Sequence, residues 1–219
     1  MNANVEKESP INIKELRYMG LYDGIFAIFL QRITDVRWHR YFAKQKGLIK
    51  ANSIVVTSFK NSCYYNGRME INHTDAVLGG SAILHEFGHF VFDKMLSTED
   101  DDIIASLFKK EVAHFIEDED YLIKLHQKYC PSIEEYKFCL TRKYCPVMIT
   151  DGVGILKGAY SAGICHGYNY PIEFLATELF AEALETEVFG HQIPLVIYKE
   201  ECPQTYSYIR KRIYETLTP

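Results

Sequence analysis

The chain has 219 residues, enough for one generous domain and short for two. Apolar residues make up 47% of it and charged residues 24%, and sixteen tyrosines and thirteen phenylalanines supply a core, so composition argues against disorder. A net charge of −5 argues against a nucleic-acid partner, because that would need a concentrated basic face; Lys109-Lys110 and Arg210-Lys211-Arg212 read as solvated helix faces.

The N-terminus, MNANVEKESP, is polar and acidic and carries no visible targeting segment. Residues 11 to about 45 have the three- and four-residue apolar spacing of helix. Within them LYDGIFAIFLQRI is too short for a bilayer and is interrupted by Asp23, so no membrane span is expected. SIVVTSF (53–59) is a β-branched strand. CYYNGRMEINH follows it, and Asn66-Gly67 between apolar flanks signals a hairpin whose buried side would come from Val55, Tyr65, Met69 and Ile71.

A helix is predicted from Gly80 or Ser81, with Ile83, Phe87 and Phe90 on its core face beside Leu84 and Val91. Ser97 or Thr98 then caps a helical pattern running over 102–128, and SIEEYKFCLTRKY makes a short helix before Pro146. The stretch from Val147 to Pro171 holds five glycines in sixteen residues, which suits turns, short strands and backbone close to a ligand. IEFLATELFAEALETEVFG is an amphipathic helix closed by Gly190, and CPQTYSYIRKRIYETL is the last helix. One α+β domain over 1–219 is expected, with an N-terminal helical part (about 1–50) and an insertion (about 99–165). The six cysteines form no CxxC pair, so a structural zinc ribbon is not expected and free thiols are.

Chemistry concentrates in AILHEFGHFVF. Positions i and i+4 of a helix lie one above the other, so His85 and His89 can share one ion. Glu86 stands beside them, where a carboxylate can take a proton from zinc-bound water and hand it to a leaving amine. Gly88 removes a side chain where another segment can pack. Catalytic zinc takes three protein ligands and leaves a position for water. Of the carboxylates on the 172–189 helix, Glu178 and Glu182 lie one turn apart on a mostly apolar side, where one can bind metal while the other hydrogen-bonds a ligand histidine. CHGYNYP offers His166, Tyr168 and Tyr170 as donors to an oxyanion.

HEFGHFVFDKML, ELFAEAL (178–184) and TYSYIRKRI (205–213), in this order, resemble blocks of the catalytic domain of the anthrax lethal factor family of zinc metallopeptidases, itself similar to the clostridial Pro-Pro endopeptidases. The resemblance implies a zincin-like fold of the gluzincin type. It puts Zn2+ on His85, His89 and Glu178, with Glu182 behind a ligand and Glu86 as catalytic base. It also implies a protein or peptide substrate and a toxin or effector that is secreted or delivered into a target cell. The family's oxyanion tyrosine lies seven residues before its ligand glutamate, where this chain has Pro171, so Tyr170 stands in, with Tyr168 and His166 behind it. The region from 64 to 71 would offer a strand edge to an extended substrate. The alternatives are a catalytically silent docking module of the same fold and an intracellular or phage-encoded peptidase.

Overall fold

The computed structural model of the chain describes residue 38 and residues 54–57, 62–65, 67–72, 81–158 and 171–217. The predicted N-terminal helical region lies outside these residues, except for Trp38, which is helical and buried. The chain divides into two compact units, residues 1–86 and 87–219. The division falls inside an unbroken helix, α1 (Ser81–Met95), which is taken here with the second unit.

The first unit contributes three strands, β1 (Ile54–Thr57), β2 (Cys63–Tyr65) and β3 (Arg68–Asn72), in the order β1-β3-β2. β3 runs parallel to β1 and antiparallel to β2. The hairpin forms where Asn66-Gly67 predicts it: Tyr65 pairs with Arg68, and Gly67 takes the positive φ of 76° that the tight turn demands. Met69 and Ile71 are fully buried, as expected. Tyr65 is not, being 71% exposed. Register explains this, since Tyr64 pairs with buried Met69 and Tyr65 with Arg68, and successive strand side chains face opposite ways. Val55 registers beside Glu70 rather than beside Met69 or Ile71. β3 is the central strand, so within 64–71 only the β2 portion is an edge of the described sheet.

The second unit is helical. α1 buries the predicted face, Ile83, Leu84, Phe87, Phe90 and Val91. Ser97 then caps α2 (Thr98–Glu111) with a reciprocal box: its hydroxyl accepts from the Asp100 amide, and the Asp100 carboxylate accepts from the Ser97 amide at 2.8 Å. The helical pattern expected over 102–128 is interrupted. α2 is followed by the short α3 (Ala113–Ile116) and by α4 (Tyr121–Tyr129). The second interruption is the acidic run Glu117 to Asp120, where Asp118 accepts a hydrogen bond from the Asp120 amide and so offers the backbone a turn instead of a helix. α5 (Glu135–Leu140) ends one turn earlier than the sequence pattern implies.

The glycine-rich stretch departs most from expectation. Its first half is α6 (Val147–Lys157), a helix almost wholly buried from Val147 to Gly154 and closed by Gly158 in the left-handed conformation (φ 57°). Gly152 here serves helix packing: a Cβ at this position would stand 2.4 Å from the Phe108 ring of α2 and 2.7 Å from Leu179. Residues 159–170 lie outside the described set.

A 3-10 turn (Ile172–Phe174) leads into α7 (Leu175–Phe189), which Gly190 terminates at φ 64°. α7 is buried on nearly every side, as befits the central helix of a layered helical unit. α8 (Gln192–Glu201), which the sequence pattern did not reveal, and α9 (Pro203–Leu217) complete it. The first turn of α9 is capped from α2: the Glu111 carboxylate accepts from the amides of Gln204 (2.7 Å) and Thr205 (2.9 Å) and from the Thr205 hydroxyl (2.6 Å). Mostly helical with a small mixed sheet, the described chain is α+β in class. Among the described residues no helix is long and apolar enough to cross a membrane, and the five described cysteines are free thiols.

Candidate metal centre

Two helices carry the candidate site, α1 with the histidines and α7 with the glutamates. Their approach is set at Gly88. A Cβ there would lie 2.5 Å from the Ala181 Cα and 2.9 Å from its Cβ, so the helices touch where neither has a bulky side chain. Phe92 of α1 meets Phe180 of α7 edge-on, with centroids 5.7 Å apart, which braces the crossing one turn away. Such a crossing brings His85 and His89, which flank Gly88, towards Glu178 and Glu182, which flank Ala181.

His85, His89 and Glu178 each offer a ligand atom, and these atoms lie within 4.8 Å of one another. Nε2 of His89 stands 3.3 Å from Oε1 of Glu178. A charge-assisted N–H···O bond runs about 2.7–2.9 Å. Two ligands at roughly 2.0–2.2 Å from one tetrahedral zinc stand about 3.3–3.5 Å apart. The observed spacing suits two ligands of one ion better than a direct ion pair. On the other side of the ring, Nδ1 of His89 is 2.9 Å from the Thr177 hydroxyl. Nδ1 thus faces Thr177 and Nε2 faces Glu178, and an Nδ1–H tautomer would leave the Nε2 lone pair and the carboxylate oxygen to share a cation. Thr177 immediately precedes Glu178, and one residue type beside a glutamate gave no signal in the sequence.

Glu182 is fully buried and Glu185 nearly so. Both pair with one nitrogen of Arg142: Nη1 lies 2.9 Å from Glu182 Oε2 and 2.5 Å from Glu185 Oε2. His85, Glu182 and Glu185 form a second group of close donor atoms, so His85 belongs to both sets. Glu178, Glu182 and Glu185 sit at i, i+4 and i+7, one face of α7, a spacing that marks a buried carboxylate stripe once the helix is known to be central. Arg142 reaches the site from the turn after α5, forty residues from Glu182 in sequence, and no local pattern announces it.

Burial shapes the electrostatics. Glu86, Glu178, Glu182 and Glu185 are each at most 5% exposed. Four carboxylates so enclosed are costly together unless cations offset them. Arg142 supplies one positive charge to two of them, and a divalent ion on the histidines and Glu178 would offset two of the remaining three charges. That balance, with the ligand spacing, is how the residues fit zinc. Around the stripe, burial holds the Tyr198 phenol well above its ordinary range, and the charge of Glu182 adds to this. Tyr198 therefore stays neutral and accepts a hydrogen bond from the Met148 amide at 3.1 Å. His191 is shifted down, by burial first and then by the charges of Arg142 and Lys143.

The other predicted residues divide simply. Glu86 is buried on α1, one position after His85. Tyr170, Tyr168 and His166 lie outside the described residues. Pro171, at the family's tyrosine position, is extended and exposed. The chain matches no protein-family model, no curated protein and no solved structure.

Proposed function

We propose that the protein is a zinc-dependent endopeptidase of the zincin-like, gluzincin type, with His85, His89 and Glu178 as the ligands. The observation that carries this reading is the 3.3 Å spacing of His89 Nε2 and Glu178 Oε1, with Thr177 holding the far side of the imidazole. When bound, the zinc would acidify a water and polarise a substrate carbonyl. Glu86 would accept the proton of the attacking water and return it to the departing amine. Tyr170, or Tyr168 or His166 beside it, is the proposed donor to the oxyanion. Arg142 holds the glutamates behind the ligands. From the resemblance of its helices, the substrate is a protein or peptide, and the role that of a secreted or delivered effector.

The test is metal analysis of the purified protein alongside cleavage of a peptide library. Wild type should carry one zinc per chain and cut peptides. Glu86→Gln should keep its zinc and lose at least ~10²-fold in rate, on the scale of general acid–base catalysis. Glu178→Ala should lose the metal. A wild-type protein with no stoichiometric zinc sinks the reading, and a zinc-loaded protein that cuts nothing favours the docking module.

A further inference from the structure

Two donor groups share His85, and only one of them can draw it to a metal. The first is His85, His89 and Glu178, and the second is His85, Glu182 and Glu185, all three buried. Three close donors with two carboxylates make a reasonable divalent-cation set by themselves. In this structure, however, a guanidinium nitrogen already bridges the two carboxylates, at 2.9 and 2.5 Å.

We propose that Arg142 is a positioning residue that acts as a built-in cation, closing the Glu182/Glu185 group to metal and so reserving His85 for the ion held with His89 and Glu178. The inference rests on the zinc reading above. Both carboxylates lie on α7 three residues apart, so they project together whether or not a cation joins them. Without one they form a concentrated negative charge in a site closed to water, and a divalent ion would be drawn there. Arginine suits the place because its guanidinium stays charged under all ordinary conditions, and one of its nitrogens, Nη1, donates to both carboxylates. The side chain is partly exposed and arrives from a turn rather than from either of the helices that cross at Gly88 and Ala181.

Cobalt(II) titration of the full chain, followed by absorption spectroscopy and metal stoichiometry, tests this. Wild type should take up one ion with a single d–d spectrum. Arg142→Gln should either bind a second ion or bind the first at least tenfold more weakly, with an altered spectrum. Arg142→Lys, which keeps the charge, should return most of the wild-type behaviour. Combining Arg142→Gln with Glu182→Gln and Glu185→Gln removes the competing group together with its cation, and should hold the stoichiometry at one ion. Circular dichroism on each variant separates misfolding from altered coordination, and the triple variant carries the test if Arg142→Gln fails to fold. Wild-type stoichiometry, affinity and spectrum in folded Arg142→Gln overturn the proposal, as does a folded triple variant that binds a second ion. A wild-type protein that binds no cobalt removes the underlying zinc reading as well, whereas one bound ion in wild type with an indifferent Arg142→Gln removes this inference alone.

Discussion

Thr177 is a modest residue with an outsized lever. Its hydroxyl meets Nδ1 of His89 at 2.9 Å, on the side of the ring opposite the Nε2 that faces Glu178. Outer partners of this kind typically contribute 10- to 100-fold in metal affinity. Thr177→Val keeps the shape and removes the hydrogen bond, so zinc affinity measured by chelator competition should fall by roughly 10-fold or more. Unchanged affinity would mean that the helix alone orients the ring. At this scale the sequence was legible where spacing is local. His85, Glu86 and His89 follow from one helical turn, and the side-by-side carboxylates of α7 follow from another. Arg142 was not legible, since its partners are forty and forty-three residues away. Tyr65 failed for a narrower reason. A hairpin signal predicts the turn, but a shift of one position in register decides which tyrosine faces inward.

Between elements, glycine was the residue most easily misread. In the stretch after Val147 its abundance points to loops, yet Gly152 lies inside a buried helix because Phe108 and Leu179 leave no room for a methyl group. Glycine has two uses, unusual backbone angles and close approach, and composition alone does not separate them. The apolar run Val147, Met148, Ile149 and Val153 was the better guide. Gly88 has the second use at the site itself. Gly88→Ala would press a methyl group into the backbone of Ala181, which cannot rotate away. Overpacking of this kind costs about 1–3 kcal/mol. Denaturant melts of the apo protein should show a loss of that size, and zinc affinity should fall with it, because the same crossing sets the distance between the ligands. An alanine variant with wild-type stability and affinity would refute the close crossing.

For the molecule as a whole, the proposed ligands come from two helices that are about ninety residues apart, so bound metal should staple them. A ligand that binds only the folded state stabilises it by RT ln(1 + [L]/Kd), about 4 kcal/mol at a thousandfold excess over Kd. For a chain of this length that corresponds to roughly 10 °C in melting temperature. Chelation should lower the melt by about that amount and re-addition of zinc should restore it; a melt indifferent to chelator would place the metal off the folded core. The class, α+β with a helical majority, was readable from periodicity and turn residues. The breaks within 98–129, and α8 altogether, were not, because they depend on what packs beside them. One such long-range contact reaches the far end of the chain, where Glu111 of α2 caps the first turn of α9. First-turn amides of a helix ordinarily trade their protons with solvent early, having no partner within the helix. Those of Gln204 and Thr205 should instead exchange slowly, at a rate that reports the separation of α2 from α9 rather than fraying of the helix end. Mass-spectrometric deuterium uptake over 202–206 should be slow in wild type and fast in Glu111→Gln, which would make the C-terminal helix a clock for the opening of the whole helical unit.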